Sequence, residues 1–194
     1  MPEILARINE ELAEQGAGRF ATLAVAAVDP TGPAVTARLY LAGHERPILV
    51  RTTGETEAVG NNGSALGLLP TITVSAVDIS MAPGDTLVFF TDGVTERRNG
   101  DELFGVRRTH DVLAPLAGHD ADIVAARLRA ATISFSLETP RDDIAILTMR
   151  NDSLPATRGV RRRASAPPEV DDQDIDVDSG DASADHVGAT VARG

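Results

Sequence analysis

The run Thr86-Leu87-Val88-Phe89-Phe90-Thr91 sets the strongest condition on how this chain can fold. An apolar stretch of that length without alternation reads as a strand buried on both faces. The surrounding chain therefore has to cover both sides of the sheet that holds it. Pro83-Gly84-Asp85 turns the chain into the run, and Asp92-Gly93 follows directly after it.

Other elements follow from changes of apolar period. Ile4, Leu5, Ile8 and Leu12 recur at helical spacing, so 3–15 reads as an amphipathic helix ended near Gly16 and Gly18. Strand-like patterns occupy 20–28, 34–41 and 46–51, with Asp29-Pro30-Thr31-Gly32 as the first turn, and together read as an antiparallel meander. Residues 54–70 read as loop, 71–79 and 86–91 as strands, 102–116 and 119–131 as helices, and 143–149 as a final strand. Helix, strands, helices, strand is the order of an α+β fold, not of alternating βα units.

The chain divides near residue 150. After Leu154 there is no Leu, Phe, Met, Trp or Tyr, too little apolar area to offset the entropy of ordering. The expectation is a domain over 1–150 and a disordered tail over 151–194. The tail holds a basic knot, Arg158 to Arg163, then an acidic run from Glu169 to Asp185. Asp174, Asp176, Asp178 and Asp185 echo a calcium loop, but Ser179 stands where the turn requires Gly, so a solvated acidic tail is the reading.

Composition removes several function classes. With no Cys there is no thiol nucleophile and no cysteine-ligated metal. All 18 basic residues are Arg against 29 acids, a net charge of −11, which speaks against a nucleic-acid-binding face. No apolar run is long enough to span a membrane and no signal-peptide pattern follows Met1, so the expected location is the cytoplasm. Gly60-Asn61-Asn62-Gly63 lacks the Lys of a phosphate loop, and there is no Gly-x-Ser-x-Gly elbow.

Two carboxylate motifs remain. Asp92 ends a buried strand and precedes a glycine, a natural placement for a ligand to a hard cation, although Asp-Gly is also a common turn. Asp142-Asp143 enters the last strand, where adjacent carboxylates need a cation, an arginine or water. If the two motifs converge, metal-assisted hydrolysis of a phosphoryl group becomes accessible. Thr91, Thr95 and Glu96 flank Asp92 and either orient it or satisfy the turn. His44 follows a strand and either lines the site or, the favoured reading, is a structural or turn histidine, and the pairs Arg97-Arg98 and Arg107-Arg108 either steer an anionic partner or lie solvated.

Residues 83–105, P-G-D-T-L-V-F-F-T-D-G-V-T-E-R-R-N-G-D-E-L-F-G, resemble the signature of PPM-type metal-dependent protein serine/threonine phosphatases, in the bacterial branch typified by stage II sporulation protein E. Arg19 to Leu23, Ala42-Gly43-His44 with Pro47, Leu66 to Leu69 and Asp142 to Leu147 match further pieces in the family's order. The resemblance implies an α/β/β/α sandwich of two antiparallel sheets flanked by helices, with two Mn2+ or Mg2+ ions at one edge. It also implies attack by a metal-bridging hydroxide on phosphoserine or phosphothreonine, without a phosphoenzyme.

Carried over residue by residue, Asp92 and Asp142 correspond to metal ligands. Asp143 would either line the site or face solvent, and Gly93 corresponds to a backbone hinge. The implied substrate is a phosphorylated regulatory protein such as an anti-sigma factor antagonist, in sigma factor regulation. The family's upstream strands, with a Gly-Asp motif whose aspartate bridges the metals, have no counterpart here, so the domain reads as N-terminally incomplete. Hence a second reading stands beside the enzyme: a non-catalytic phosphatase-fold module that binds a regulatory partner. A homodimer in which a second copy completes the site is a further arrangement.

Overall fold

A computed structural model of the chain describes residues 1–15, 18–32 and 34–153, and the backbone of 187–193. In order the elements are α1 (Pro2–Glu14), β1 (Leu23–Asp29), β2 (Val35–Ala42), β3 (Ile48–Val50), β4 (Thr56–Ala58), β5 (Ala76–Met81) and β6 (Thr86–Phe90). There follow α2 (Asp92–Thr95), β7 (Arg98–Asn99), β8 (Glu102–Leu103), α3 (Gly105–Leu113), α4 (Ala121–Ser134), β9 (Ala145–Asn151) and β10 (Val187–Arg193). One sheet has the order β1-β2-β5, the other β10-β9-β6-β3-β4, and β7-β8 is a separate hairpin. Every pairing between these strands is antiparallel.

Side-chain alternation builds four layers from this order. On β2, Val35, Ala37 and Leu39 face the space between the sheets, where they join Leu49, Leu87 and Met149 of the larger sheet. Tyr40 and Ala42 turn the other way and pack with Leu5 of α1. On the larger sheet, Ile48, Val50, Val88, Phe90 and Ile146 point away from the smaller sheet and meet Leu113 of α3 and Val124, Ala125 and Leu128 of α4. The result is an α/β/β/α sandwich of α+β class, with β6 buried on both faces as its apolar run requires. Burying one such Leu, Val or Phe side chain is worth about 1.5–3 kcal/mol.

Several elements differ from the sequence reading. The strands after α1 are not one meander: β1 and β2 form a hairpin, but β3 belongs to the other sheet. The crossing is made at Gly43, whose φ of 68° and whose Cβ position, 2.6 Å from the Ala65 side chain, both call for glycine. Residues 71–75 do not join the ladder but bond to a loop, Ser64 N donating to Thr73 O at 2.9 Å. Residues 98–103 form the β7-β8 hairpin and not the start of a helix, because Gly100 at φ 61° supplies a tight reversal.

On α1 the buried positions are Leu5 and Asn9, while Ile4 and Ile8 are exposed. Asn9 is inside because it satisfies a loop: Oδ1 accepts from Gly67 N at 2.7 Å and Nδ2 donates to Leu69 O at 3.0 Å.

The tail expectation over 154–186 lies outside the described residues, with Arg158 to Arg163 and the acidic run. Residues 187–193, expected within that tail, instead pair with β9 from Val187↔Asn151 to Arg193↔Ala145. Composition does not register such an element, since a strand can be held by main-chain bonds to a neighbouring strand.

Candidate metal centre

The antiparallel pairing of β6 with β9 decides where the two carboxylate motifs go. Phe90 at the end of β6 is opposite Ile146 near the start of β9. The residues just after one strand must therefore meet those just before the other. Asp92-Gly93 and Asp142-Asp143, about fifty positions apart in sequence, are brought together by register alone.

Their junction is fastened by Thr91. Its N–H donates to Ala145 O at 3.0 Å, its hydroxyl donates to Asp143 O at 2.7 Å, and the same hydroxyl accepts from Ala145 N at 3.0 Å. Gly93 then lets the loops touch: a Cβ there would lie 2.4 Å from Asp143 O and 3.4 Å from Asp142 O. The need for glycine at this position is space for a neighbouring backbone, and its φ is not in the left-handed region.

The single turn of α2 is fixed from below by Val94, which is fully buried in the cluster of Phe90, Phe104 and Ile144. That anchoring leaves Asp92 and Glu96 at the surface on the outer side of the turn. Thr95 is buried and its hydroxyl lies 3.3 Å from both Glu45 Oε1 and Asp92 O. Asp142 is exposed, and its Oδ1 accepts the Asp143 N–H at 2.8 Å.

Two adjoining clefts open here. Asp92 lines one with Thr91, His44, Glu45, Asn62 and Glu96. Asp142 lines the other with Gly93, Glu96, Arg97, Glu138 and Arg141, so that Glu96 borders both. Of the two readings of His44, the cleft favours the site-lining one, since it stands at the rim beside Asp92. Burial pushes its imidazole pKa down, against opposing pulls from Glu45 and Asp92. Its Nδ1 accepts the Glu45 N–H at 2.9 Å, which in the neutral ring leaves the proton on Nε2.

Glu45 and Asn62 escaped the sequence reading, because only the crossing from β2 to β3 and the fold of the 54–70 loop carry them to Asp92. The arginine pairs resolve differently. Arg107 pairs with Asp111 at 3.0 Å, and Arg108 pairs with Glu102 and lies 5.0 Å over the Phe135 ring. Arg98 is exposed, and Arg97 is buried. Asp29 is a turn residue: the Thr31 hydroxyl and amide bond its carboxylate and hold it below the usual range.

The donor chemistry suits a hard divalent cation. Asp92 and Asp142 are exposed oxygen donors on abutting loops, and Mg2+-like ions are commonly held by one or two carboxylates plus waters and substrate phosphate. Among the described residues no group of three or more His, Asp or Glu is arranged to hold a metal ion.

The family model for stage II sporulation protein E (SpoIIE) matches residues 1–152. Protein IcfG of Synechocystis is 31% identical over 96 residues, which cover 48% of this chain and 15% of IcfG. The RsbU and RsbW domains of Rv1364c from Mycobacterium tuberculosis superpose with a TM-score of 0.60 at 25% identity, over 79% of this chain and 42% of that one. The manganese-presoaked phosphatase domain of the cell fate determinant SpoIIE from Bacillus subtilis gives a TM-score of 0.53 at 18% identity, over 75% and 63%. The last likeness is one of fold. The chain thus spans a minor part of IcfG and less than two thirds of these two solved chains.

Proposed function

This chain belongs to the stage II sporulation protein E family, and on that premise we propose that it hydrolyses phosphoserine or phosphothreonine on a regulatory protein, with Mn2+ or Mg2+ held at Asp92 and Asp142. The observation that carries the reading is the contact of the two motifs, Gly93 against the backbone of Asp142-Asp143. Two exposed carboxylates on touching loops support a reading in which they share a cation.

When bound, a divalent cation acidifies water and offsets charge on a phosphoryl oxygen. The chain's own part is to hold the site. Thr91 locks the two loops in register, Gly93 sets their closeness, and Val94 roots the turn in the core. Thr95 ties Glu45 to the same turn, and neutral His44 has its Nε2–H free to donate at the rim. Asp143 contributes its carbonyl to the Thr91 bond while its side chain faces solvent. The substrate we assign is a phosphorylated protein of the anti-sigma-factor-antagonist kind, met in the cytoplasm. No helix among the described residues is long and apolar enough to cross a membrane.

A second reading is favoured by the donor set, two carboxylates with no third acidic or His ligand arranged beside them among the described residues. On that reading the chain is a phosphatase-fold module that binds its regulatory partner without turnover.

Calorimetric titration with Mn2+, run beside hydrolysis of a phosphoserine peptide, separates the two. The enzyme reading expects Mn2+-dependent turnover that falls at least about a hundredfold in Asp92→Asn, because even outer partners of a metal site cost 10–100-fold. Partner binding that survives EDTA, with no turnover, would establish the binding module instead.

A further inference from the structure

Arg97 is the least expected side chain near the site. It is 5% exposed, and among the described ion pairs no carboxylate meets its guanidinium. Its Nη2 donates to two main-chain carbonyls, Ser136 O at 2.9 Å and Glu138 O, while Nε is buried without a partner. A buried cation satisfied by carbonyls alone carries a desolvation cost, and it persists where its geometry serves something else.

What it serves is visible in the loop it grips. Residues 135–144 connect α4 to β9 and carry Asp142 near their end. Leu137 to Asp143 are exposed, and the loop's other bonds among the described residues are short-range: Glu138 N to Ser136 Oγ, Asp143 N to Asp142 Oδ1, and the Arg141–Glu138 pair at 3.7 Å. Its ends are packed, Phe135 against Phe104 and Arg108, and Ile144 in the core, and between them two sets of long-range hydrogen bonds fasten it, both starting from the segment that carries Asp92. Thr91 holds the far end through Asp143 O and Ala145 N, and Arg97 holds the near end through Ser136 O and Glu138 O.

We propose that Arg97 is a positioning residue, a peg that fixes the 135–144 loop to the α2 segment so that Asp142 stands beside Asp92 in a preorganised pair. The inference rests on the metal reading above for its consequence, but the peg itself does not. An arginine suits the task because one terminal nitrogen, Nη2, carries two N–H donors and reaches carbonyls two residues apart. Held at both ends, the loop spends little ordering entropy when a cation arrives, which appears as affinity.

The test uses the full chain and Arg97→Met, which keeps the apolar stem and removes the donors, beside Arg97→Lys, which restores donors. Hydrogen exchange at the bonded amides of Ser136, Glu138 and Asp143, measured without metal, should speed up at least about tenfold in Arg97→Met and recover partly in Arg97→Lys. Mn2+ affinity by calorimetry should fall about tenfold or more in Arg97→Met, within the range for outer partners of a metal site. Leu5→Ala, a core change on the opposite side of the sandwich, lowers the melting temperature but should leave Mn2+ affinity at the wild-type value.

Unchanged exchange in Arg97→Met would overturn the peg. Faster exchange with wild-type Mn2+ affinity would overturn its role in positioning Asp142. Absence of Mn2+ binding in the wild-type chain would overturn the metal reading, with the exchange result still deciding whether the peg exists.

Discussion

Strand β6 carries a carboxylate at each end, and the two have opposite fates. Asp85, just before Thr86, is 1% exposed and saturated: its carboxylate accepts from Arg51 Nη1 at 2.9 Å, Thr52 N at 3.0 Å and Ala82 N at 2.9 Å. Asp92, just after Thr91, is exposed and its turn is held by other residues. At the Asp85 end the backbone of Asn151 closes on the turn, Gly84 N donating to Asn151 O at 2.6 Å and Asn151 N to Asp85 O at 3.0 Å. At the Asp92 end the same strand pair is closed by Thr91, and the acids are left outside. Asp85 spends its lone pairs on the protein, whereas Asp92, on the proposed reading, keeps its lone pairs for a cation while neighbours fix its turn.

The comparison predicts a separation of effects, largest first. Asp85→Ala leaves the Thr52 and Ala82 amides and Arg51 without their acceptor. Losing one partner of a buried pair costs about 3–5 kcal/mol, and the lower end applies because Arg51 is one-third exposed and can hydrate. In a chain of this size that is a fall in melting temperature of about 10 °C by calorimetry. The folded variant should bind Mn2+ as the wild type does. Asp92→Asn should do the reverse, moving the melting temperature by less than about 0.5 kcal/mol equivalent while removing Mn2+-dependent turnover. An Asp85 variant that folds normally yet loses Mn2+ binding would break the distinction.

Gly93→Ala probes the contact that joins the motifs. Its Cβ would sit 2.4 Å from Asp143 O, and backbone cannot yield as a flexible side chain would. The overpacking cost is about 1–3 kcal/mol, with Mn2+ affinity falling because the loops must part. The same substitution at Gly100, where nothing lies within 4 Å but φ is 61°, strains only the tip of the β7-β8 hairpin and should leave affinity unchanged. Equal affinity losses in both variants would show that the fall reflects global stability and not the junction.

How much of this was legible in the sequence follows the same division. The doubly buried β6 was readable from its run, because hydrophobic burial leaves a pattern in composition. The pairing of β6 with β9, which sets Asp92 against Asp142, was not readable from spacing, and only the family resemblance brought the two motifs to one site. Asp85 and Asp92 look alike on the page, each beside a glycine at a strand end, since what separates them is the acceptance of distant N–H groups. Arg97 reads as one of a charged pair, and its burial depends on the carbonyls of residues 136 and 138, which no local pattern announces. β10 was missed because its short alternation, Val187, Ala189 and Val191, is made of small residues set within an Ala- and Asp-rich segment.

Thr91 offers the finest cut. Thr91→Val keeps shape and β-branching but removes a hydroxyl that donates to Asp143 O and accepts from Ala145 N, so both main-chain groups lose a partner. Since Thr91 is only half-buried, water can replace part of that loss, and the cost is about 1 kcal/mol, a fall of about 2–4 °C by calorimetry. Thr91→Ser keeps the hydroxyl and should recover most of it. If the junction works as a register lock, Thr91→Val will also lower Mn2+ affinity more than its small loss of stability accounts for, while Thr91→Ser will not. The Asp85 end has no such coupling, so a stability loss made there, by Asn151→Ala, which removes the Nδ2 bond to Met81 O at 2.8 Å, should leave affinity where it was; a matching drop would mean that the two ends of β6 are not independent.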